Sequence, residues 1–136
     1  MKRNLFLLMV LATTFAATAQ SPYKGTFYNQ QLHIRARLNL EAKDVPVPGM
    51  EELDSCYGYL QGNLNGTWFV LRVKSKNEKK AVVRASCDRG DNAQDLEIQL
   101  TEDGISLRQV GDTYIKGVAN RKYVKLPKAI VLKRED

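Results

Sequence analysis

The side chains that most often carry out catalysis or bind metal ions are scarce in this sequence. His33 is the single histidine in 136 residues, so it cannot supply the several roles that a catalytic triad or a histidine-based metal site needs. Asp88, Asp91 and Asp95 lie close together, but they surround a Gly-containing turn where acids are common, and their spacing is not that of a calcium loop. We therefore expect no enzyme activity, no metal ion and no cofactor.

A set of aromatic and basic residues in the middle of the chain favours binding over catalysis. Arginine and aromatic rings together bind carboxylate, phosphate or sugar groups, and they also stack on each other beneath a second layer or a partner subunit. The predicted ligand-binding residues, called here the aromatic-basic set, are Tyr57, Tyr59, Trp68, Arg72 and Arg84.

Basic residues also concentrate near the end of the sequence. Residues 116–134 contain seven Lys or Arg and no acid, whereas residues 41–54 contain five acids and one Lys. With Tyr114 and Tyr123 close by, the basic segment is a second candidate for contact with an anionic ligand, and a solvated strand face is the alternative. The net charge of +6 falls short of the clustered charge of a nucleic-acid-binding protein.

The first residues have the features of a secretory signal peptide. Residues 1–4 are a short basic start, residues 5–12 are apolar, and residues 17–19 read Ala-Thr-Ala, which fits a cleavage site. The apolar run is too short to span a membrane, and no cysteine follows it for a lipid anchor. We predict removal of residues 1–19, a periplasmic or secreted location, and a single domain of residues 20–136 with a net charge of +4.

A hydrophobic period of two runs through the remaining sequence. In residues 32–40, five apolar residues alternate with four polar ones, the pattern of a strand with one buried face. Shorter runs of this kind follow at residues 56–63, 68–74, 81–87, 95–100, 105–110, 114–118 and 129–133, with residues 25–28 as a further candidate.

About eight short strands joined mostly by two to six residues favour one architecture. We expect an all-β antiparallel meander that closes into a barrel, because neighbouring strands need only short links and closure hides the sheet edges. A two-sheet β-sandwich is the alternative, although its Greek-key connections require longer crossings.

The pair Asn65-Gly66 predicts a two-residue hairpin turn, which fixes the register of the strands on either side. The apolar faces of the next hairpin are matched in the same way. The predicted pairs are Leu64 with Thr67, Tyr59 with Arg72, Val73 with Val83, and Arg72 with Arg84. In this register the aromatic-basic set shares one face of the sheet.

The same register bears on the two cysteines, which an exported protein normally joins in a disulfide. It places Cys56 opposite Ser75 and Cys87 opposite Phe69, roughly 20 Å apart at the rise of a strand. A disulfide requires Cα atoms within about 7 Å. Either the meander is wrong or both thiols are free and buried, and we prefer free thiols.

The tripeptide Gly66-Thr67-Trp68 is similar to the G-x-W signature of lipocalin-like, or calycin, barrels, which are short secreted chains of about eight meandering strands. The resemblance covers these three residues and the strand count across residues 25–134. It implies a small hydrophobic or amphiphilic ligand inside the barrel, since a barrel of this size can hold one small molecule.

The resulting prediction is a secreted or periplasmic non-enzymatic binding protein for a small amphiphilic or anionic ligand. The alternative is a protein–protein interaction or inhibitor module that uses the aromatic-basic set, or an exposed edge strand, to bind an envelope protein. A carrier needs an enclosed cavity, whereas an interaction module has a filled interior and an exposed aromatic patch. We expect neither nucleic-acid binding nor a membrane span.

Overall fold

The computed structural model describes residues 22–49, 55–90 and 92–135, so the predicted signal peptide lies outside the described residues. The described part of the chain forms strands and no helix. The strands are β1 (Lys24–Asn29), β2 (Ile34–Asn39), β3 (Val45–Pro46), β4 (Ser55–Cys56), β5 (Gly58–Gly62), β6 (Trp68–Lys76), β7 (Lys80–Cys87), β8 (Ala93–Leu100), β9 (Gly104–Val110), β10 (Gly117–Ala119), β11 (Lys122–Val124) and β12 (Ile130–Arg134).

Eight of these strands close into a barrel in the order β1, β2, β5, β6, β7, β8, β9, β12, and β12 pairs with β1 to complete the wall. Every neighbouring pair is antiparallel. The predicted all-β barrel is therefore confirmed, and the sandwich is not formed. Two hairpins, β3–β4 and β10–β11, are two-stranded sheets outside this wall.

The alternating strand direction gathers the connections at two ends of the barrel. The end that we call the upper end carries residues 40–49, 55–57, 77–79 and 101–103. The lower end carries residues 30–33, 63–67, 88–90 and 111–129. The two hairpins thus interrupt the meander at opposite ends.

Alternate side chains point into the barrel and fill it. On β2, for example, Ile34, Ala36 and Leu38 are buried while Arg35 and Arg37 are exposed, as expected where successive side chains point to opposite faces. Aliphatic residues from seven of the eight strands, together with Phe27 of β1 and Trp68 of β6, form one continuous cluster. A cavity between this cluster and the residues at the lower end, lined among others by Leu60, Leu107 and Pro127, measures about 20 Å³, which is room for about one water molecule.

Glycine permits the close approach of β5 to β2. Gly62 pairs with Ile34, and a Cβ atom at Gly62 would collide with the backbone carbonyl of His33. Its φ of 125° also lies in a region that side chains rarely adopt. A larger residue here would push two strands of the wall apart.

The link between β5 and β6 differs from the prediction. Five residues separate Gly62 from Trp68, where a two-residue turn was expected, and Tyr59 pairs with Phe69 instead of Arg72. The predicted pairs Leu64–Thr67 and Tyr59–Arg72 are therefore wrong. Because the shift is an odd number of residues, it turns Trp68 into the barrel and Phe69 outward.

The pairing of β6 with β7 agrees with the prediction in its middle and departs from it on both sides. Arg72 lies opposite Arg84 and Val73 opposite Val83, as predicted. Two β-bulges, before Arg72 and after Val73, shift the register elsewhere. Each bulge inserts one unpaired residue, so side chains that alternate along the sequence change face along this strand.

Cys56 and Cys87 form no disulfide and both are buried, which agrees with the preferred prediction. Their predicted neighbours are wrong, however. Cys87 lies opposite Trp68, within the cluster that fills the barrel. Cys56 pairs with Val45 and belongs to a second, smaller cluster on the outside of the wall.

Candidate functional site

The structure does not bring the aromatic-basic set together. Trp68 is only 1% exposed and packs inside the barrel, where its indole Nε1 donates a hydrogen bond to Asn65 Oδ1 at 3.0 Å. The prediction that it shares an outer face with Tyr59 and Arg72 is wrong, because the five-residue link reverses the facing of β6. Trp68 is thus part of the core.

The two tyrosines of the set are half-buried in different surroundings. Tyr59 packs against the outer cluster that Val45, Val47, Cys56 and Phe69 form where the β3–β4 hairpin lies over the wall. Tyr57 packs against the barrel core instead. The chain's own hairpin therefore provides the second layer over Tyr59.

The two arginines lie side by side on the exposed outer wall. Arg84 binds Asp95 through two hydrogen bonds, of 2.9 and 3.4 Å, and Lys74 contacts the same carboxylate at 2.8 Å. Hydrogen bonds from Arg84 and then Lys74 lower the pKa of Asp95 to about 2. Like charges at Arg72 and Arg84 would repel across the strands, and Asp95 offsets part of that repulsion.

The residues considered for catalysis lie apart. His33 is exposed at the turn between β1 and β2, and its Nδ1 lies 3.0 Å from the hydroxyl of Tyr28. Asp88 begins a turn at the lower end, whereas Asp95 belongs to the ion pairs on the wall; Asp91 lies outside the described residues. Within the described ranges, no three His, Cys, Asp or Glu side chains group as metal ligands would.

A segment between β9 and β10 closes the lower end of the barrel. Its central residue, Ile115, is 2% exposed and packs into the interior cluster. Two side-chain amides hold its backbone: Gln94 Oε1 accepts from Tyr114 N at 2.7 Å, and Gln109 bonds both the N–H and the carbonyl of Ile115. The predicted strand at residues 114–118 is therefore only partly formed, since the strand starts at Gly117.

Asn65 joins this segment to the barrel wall. Its Oδ1 accepts hydrogen bonds from Trp68 Nε1 and from Lys116 N, and its Nδ2 donates to Tyr114 O at 2.9 Å. The Asn65 side chain thus satisfies three groups that have no strand partner. This role was missed by sequence analysis, because the Asn-Gly pair already had a complete explanation as a tight turn.

Beyond this floor, the β10–β11 hairpin projects from the lower end. Its turn residues, Asn120 and Arg121, both have left-handed backbone conformations, with φ of 54° and 65°, as a type I′ turn requires. All three residues of β11 are exposed, and Tyr123 at 63% is the most exposed of the large apolar side chains described. Asparagine tolerates such a backbone, but arginine rarely adopts it.

A groove of about 360 Å³ lies beside the root of this hairpin. It runs between the end of β9 and residues 125–128, and Arg108, Lys125 and Lys128 line it. Arg108 is held at 2.7 Å by Glu97 on the wall, while both lysines are exposed. The basic segment predicted from the sequence therefore contributes two lysines to a concave surface.

Among residues 22–49, 55–90 and 92–135, no helical segment has the length and hydrophobicity that a bilayer crossing needs. The described chain is an eight-stranded antiparallel barrel with a basic hairpin at one end. No protein-family model, curated protein or solved structure matches it.

Proposed function

We propose that this chain is a non-enzymatic protein-binding module that contacts its partner through the lower end of the barrel, centred on the β10–β11 hairpin. The observation that carries the proposal is the filled interior. A cavity of about 20 Å³ compares with roughly 300–1,000 Å³ for small-molecule sites. The geometry thus favours the predicted interaction or inhibitor module over a carrier that encloses an amphiphile.

The surface of the lower end supports this choice. Tyr123 is largely exposed, and the neighbouring residues Arg121 and Lys122 are exposed as well. Tyrosine and arginine are enriched at the centres of protein interfaces, where a few side chains carry most of the binding free energy. The proposed aromatic-basic contact surface is accordingly this hairpin, and not the barrel wall that the sequence predicted.

The test is a comparison of two matched variants. The partner is captured from an extract of the source cells, purified, and titrated against the protein by calorimetry. Tyr123→Ala is expected to weaken binding at least tenfold, because truncating a central aromatic of an interface costs about 2 kcal/mol or more. Val131→Ala, at an exposed position of β12 on the barrel wall, should leave the affinity unchanged.

The proposal fails if Tyr123→Ala binds as tightly as the unmodified protein, or if the two variants lose affinity equally. Circular dichroism melting of each variant verifies that neither loss comes from unfolding. Capture of a protein by itself decides nothing; the difference between the variants does.

A small anionic ligand remains a second candidate function, since the basic groove is large enough for one. Lys125 and Lys128 flank it, and ammonium groups bind carboxylate or phosphate oxygens. Native mass spectrometry of the protein purified from its own cells tests this idea. A removable adduct of a few hundred daltons that Lys125→Ala abolishes would support it, and a clean mass would count against it.

We also propose export and a lipocalin-like family for this chain. Export is supported by the signal-peptide pattern of residues 1–19, and the intact mass of the protein recovered from cells tests it, since cleavage before Gln20 removes 19 residues. The family proposal is supported by the closed antiparallel barrel. It concerns architecture only, because the ligand that the resemblance implies would need a cavity.

A further inference from the structure

The β10–β11 hairpin offers an open sheet edge, which is unusual in this molecule. Closure gives each strand of the barrel a neighbour on both sides, whereas, within the described residues, β11 pairs with β10 alone. In the β3–β4 hairpin, Pro46 lies in β3 and Pro48 follows it. Proline cannot donate a backbone hydrogen bond and protects an edge from further pairing. Strand β11 contains no proline.

The hydrogen bonds of β10 show which backbone groups face that edge. Val118 N donates to Asn63 O at 3.0 Å, and Asn65 N donates to Lys116 O at 3.0 Å, so Val118 directs its backbone away from β11. Val118 lies opposite Tyr123. The two residues are therefore a non-hydrogen-bonded pair, in which the backbone N–H and carbonyl groups of both residues point away from the partner strand. Tyr123 thus presents its N–H and its carbonyl to the open side.

The charges around this edge favour an acidic segment over a second copy of this chain. Residues 113–134 contain no acid, and the exposed cations Arg121 and Lys125 flank β11. A second copy pairing about Tyr123 would place Arg121 opposite Lys125, and like charges directly opposite are destabilising. An extended segment with acidic residues at those two positions would form ion pairs instead.

We propose that β11 accepts an extended acidic segment of a partner protein as an additional strand, which bonds through its backbone to the N–H and carbonyl of Tyr123. This inference rests on the proposed function, because it names the mode and the chemistry by which the lower end binds a protein. Strand addition derives affinity from main-chain hydrogen bonds and selectivity from alternate side chains. Here the alternate contacts are Arg121, the ring of Tyr123, and Lys125.

The probe is a capped heptapeptide, acetyl-Thr-Glu-Val-Thr-Val-Glu-Thr-amide. Its two glutamates stand opposite Arg121 and Lys125 when its central threonine pairs with Tyr123. In ¹⁵N–¹H spectra of the full mature chain, the amide signals of residues 121–125 are expected to shift saturably, and hydrogen exchange at Tyr123 N should slow. A peptide with lysine for both glutamates, and one with an N-methylated central residue, should each bind at least tenfold more weakly.

Two variants separate the backbone of Tyr123 from its ring. Tyr123→Ala removes the ring and keeps the N–H, whereas Tyr123→Pro removes both and costs β10 no hydrogen bond. Tyr123→Ala should still bind the probe, and Tyr123→Pro should lose binding. If the proline variant disturbs the spectrum beyond residues 117–125, the N-methylated probe on the unmodified chain replaces it.

The outcomes distinguish this inference from the function on which it rests. No saturable shift with the acidic probe, or equal affinity of the N-methylated probe, overturns strand addition. If purified partner nevertheless binds and Tyr123→Ala weakens it, the lower end is a binding surface of another mode. If Tyr123→Ala and Tyr123→Pro both leave partner affinity unchanged, the strand-addition inference and the proposed function fail together.

Discussion

The two hairpins outside the barrel wall treat their apolar side chains in opposite ways. The β3–β4 hairpin folds over the wall and buries Val45 and Val47 against Phe69, whereas the β10–β11 hairpin leaves Tyr123 and Val124 exposed. Burial of apolar surface stabilises a fold, so the first hairpin contributes to stability. The second hairpin exposes apolar surface and gains no such stabilisation, and the proposed partner contact is what would cover these side chains.

The largest expected effect lies at the root of the projecting hairpin. Ile115→Ala should destabilise the protein by about 3 kcal/mol, because it removes a fully buried side chain from the floor of the barrel and leaves a cavity. Urea unfolding monitored by fluorescence measures the change. A loss below about 1 kcal/mol would mean that Ile115 does not seal the lower end. The floor of the barrel would then contribute as little to the free energy of unfolding as the β10–β11 hairpin.

Asn65→Ala tests the polar half of the same floor. The change leaves the buried Trp68 Nε1 and the backbone of Tyr114 and Lys116 without their partner, which should cost about 2 kcal/mol. Asn63→Ala is the matched control in the same loop, because only its backbone carbonyl and N–H are used. Equal destabilisation by both variants would contradict the role assigned to the Asn65 amide.

The contrast between the hairpins is tested directly by a pair of valine substitutions. Val47→Ala should destabilise the fold by about 1.5 kcal/mol, because Val47 is buried in the outer cluster. Val124→Ala, at a position that is 40% exposed, should change stability by less than about 0.5 kcal/mol. A comparable loss for both, measured by urea unfolding, would show that the β10–β11 hairpin is also structural.

The smallest effect is expected on the barrel wall between the hairpins. Because the pKa of Asp95 is lowered from 3.8 to about 2, its ion pairs stabilise the fold above pH 3.8 and lose that contribution as the pH falls towards 2. Asp95→Asn should therefore cost about 1 kcal/mol at pH 6, a value reduced by solvent screening of the exposed partners.

The pH dependence supplies the control for this last prediction. The stability difference between the unmodified protein and Asp95→Asn should shrink between pH 4 and pH 2. Asp103→Asn, at an exposed turn, is the matched control and should not show the loss at pH 6. A difference that stays constant down to pH 2 would contradict the ion-pair explanation.

The barrel could be predicted because its signal is periodic and redundant. Alternation in residues 32–40 predicted which residues of β2 would face inward, and the short links predicted an antiparallel meander. The face of Trp68 could not be predicted in the same way. The orientation of Trp68 depends on Asn65, whose side chain bonds the backbone of residues 114–116, far along the sequence. The residues around Trp68 contain no pattern that indicates this contact.

The candidate site was predicted in composition and not in geometry. The absence of acids from residues 116–134 indicated a basic surface, and Tyr123 was named with it. The hairpin itself was missed because its turn, Asn120-Arg121, lacks the glycine that usually follows asparagine in a type I′ turn. The two bulges of β6 were missed for a related reason, since each depends on cross-strand packing.

The positions of the two cysteines make them reporters of separate motions. Cys56 lies on β4 and is buried between the β3–β4 hairpin and the barrel wall, whereas Cys87 packs in the barrel core, where its Sγ contacts Asn65 and Asp88 at the lower end. Lifting the hairpin exposes the first thiol while the barrel stays closed, and reaching the second requires the lower end to open. The rates at which a thiol reagent labels these two residues therefore report the opening of the two ends separately, in a chain that needs no engineered probe.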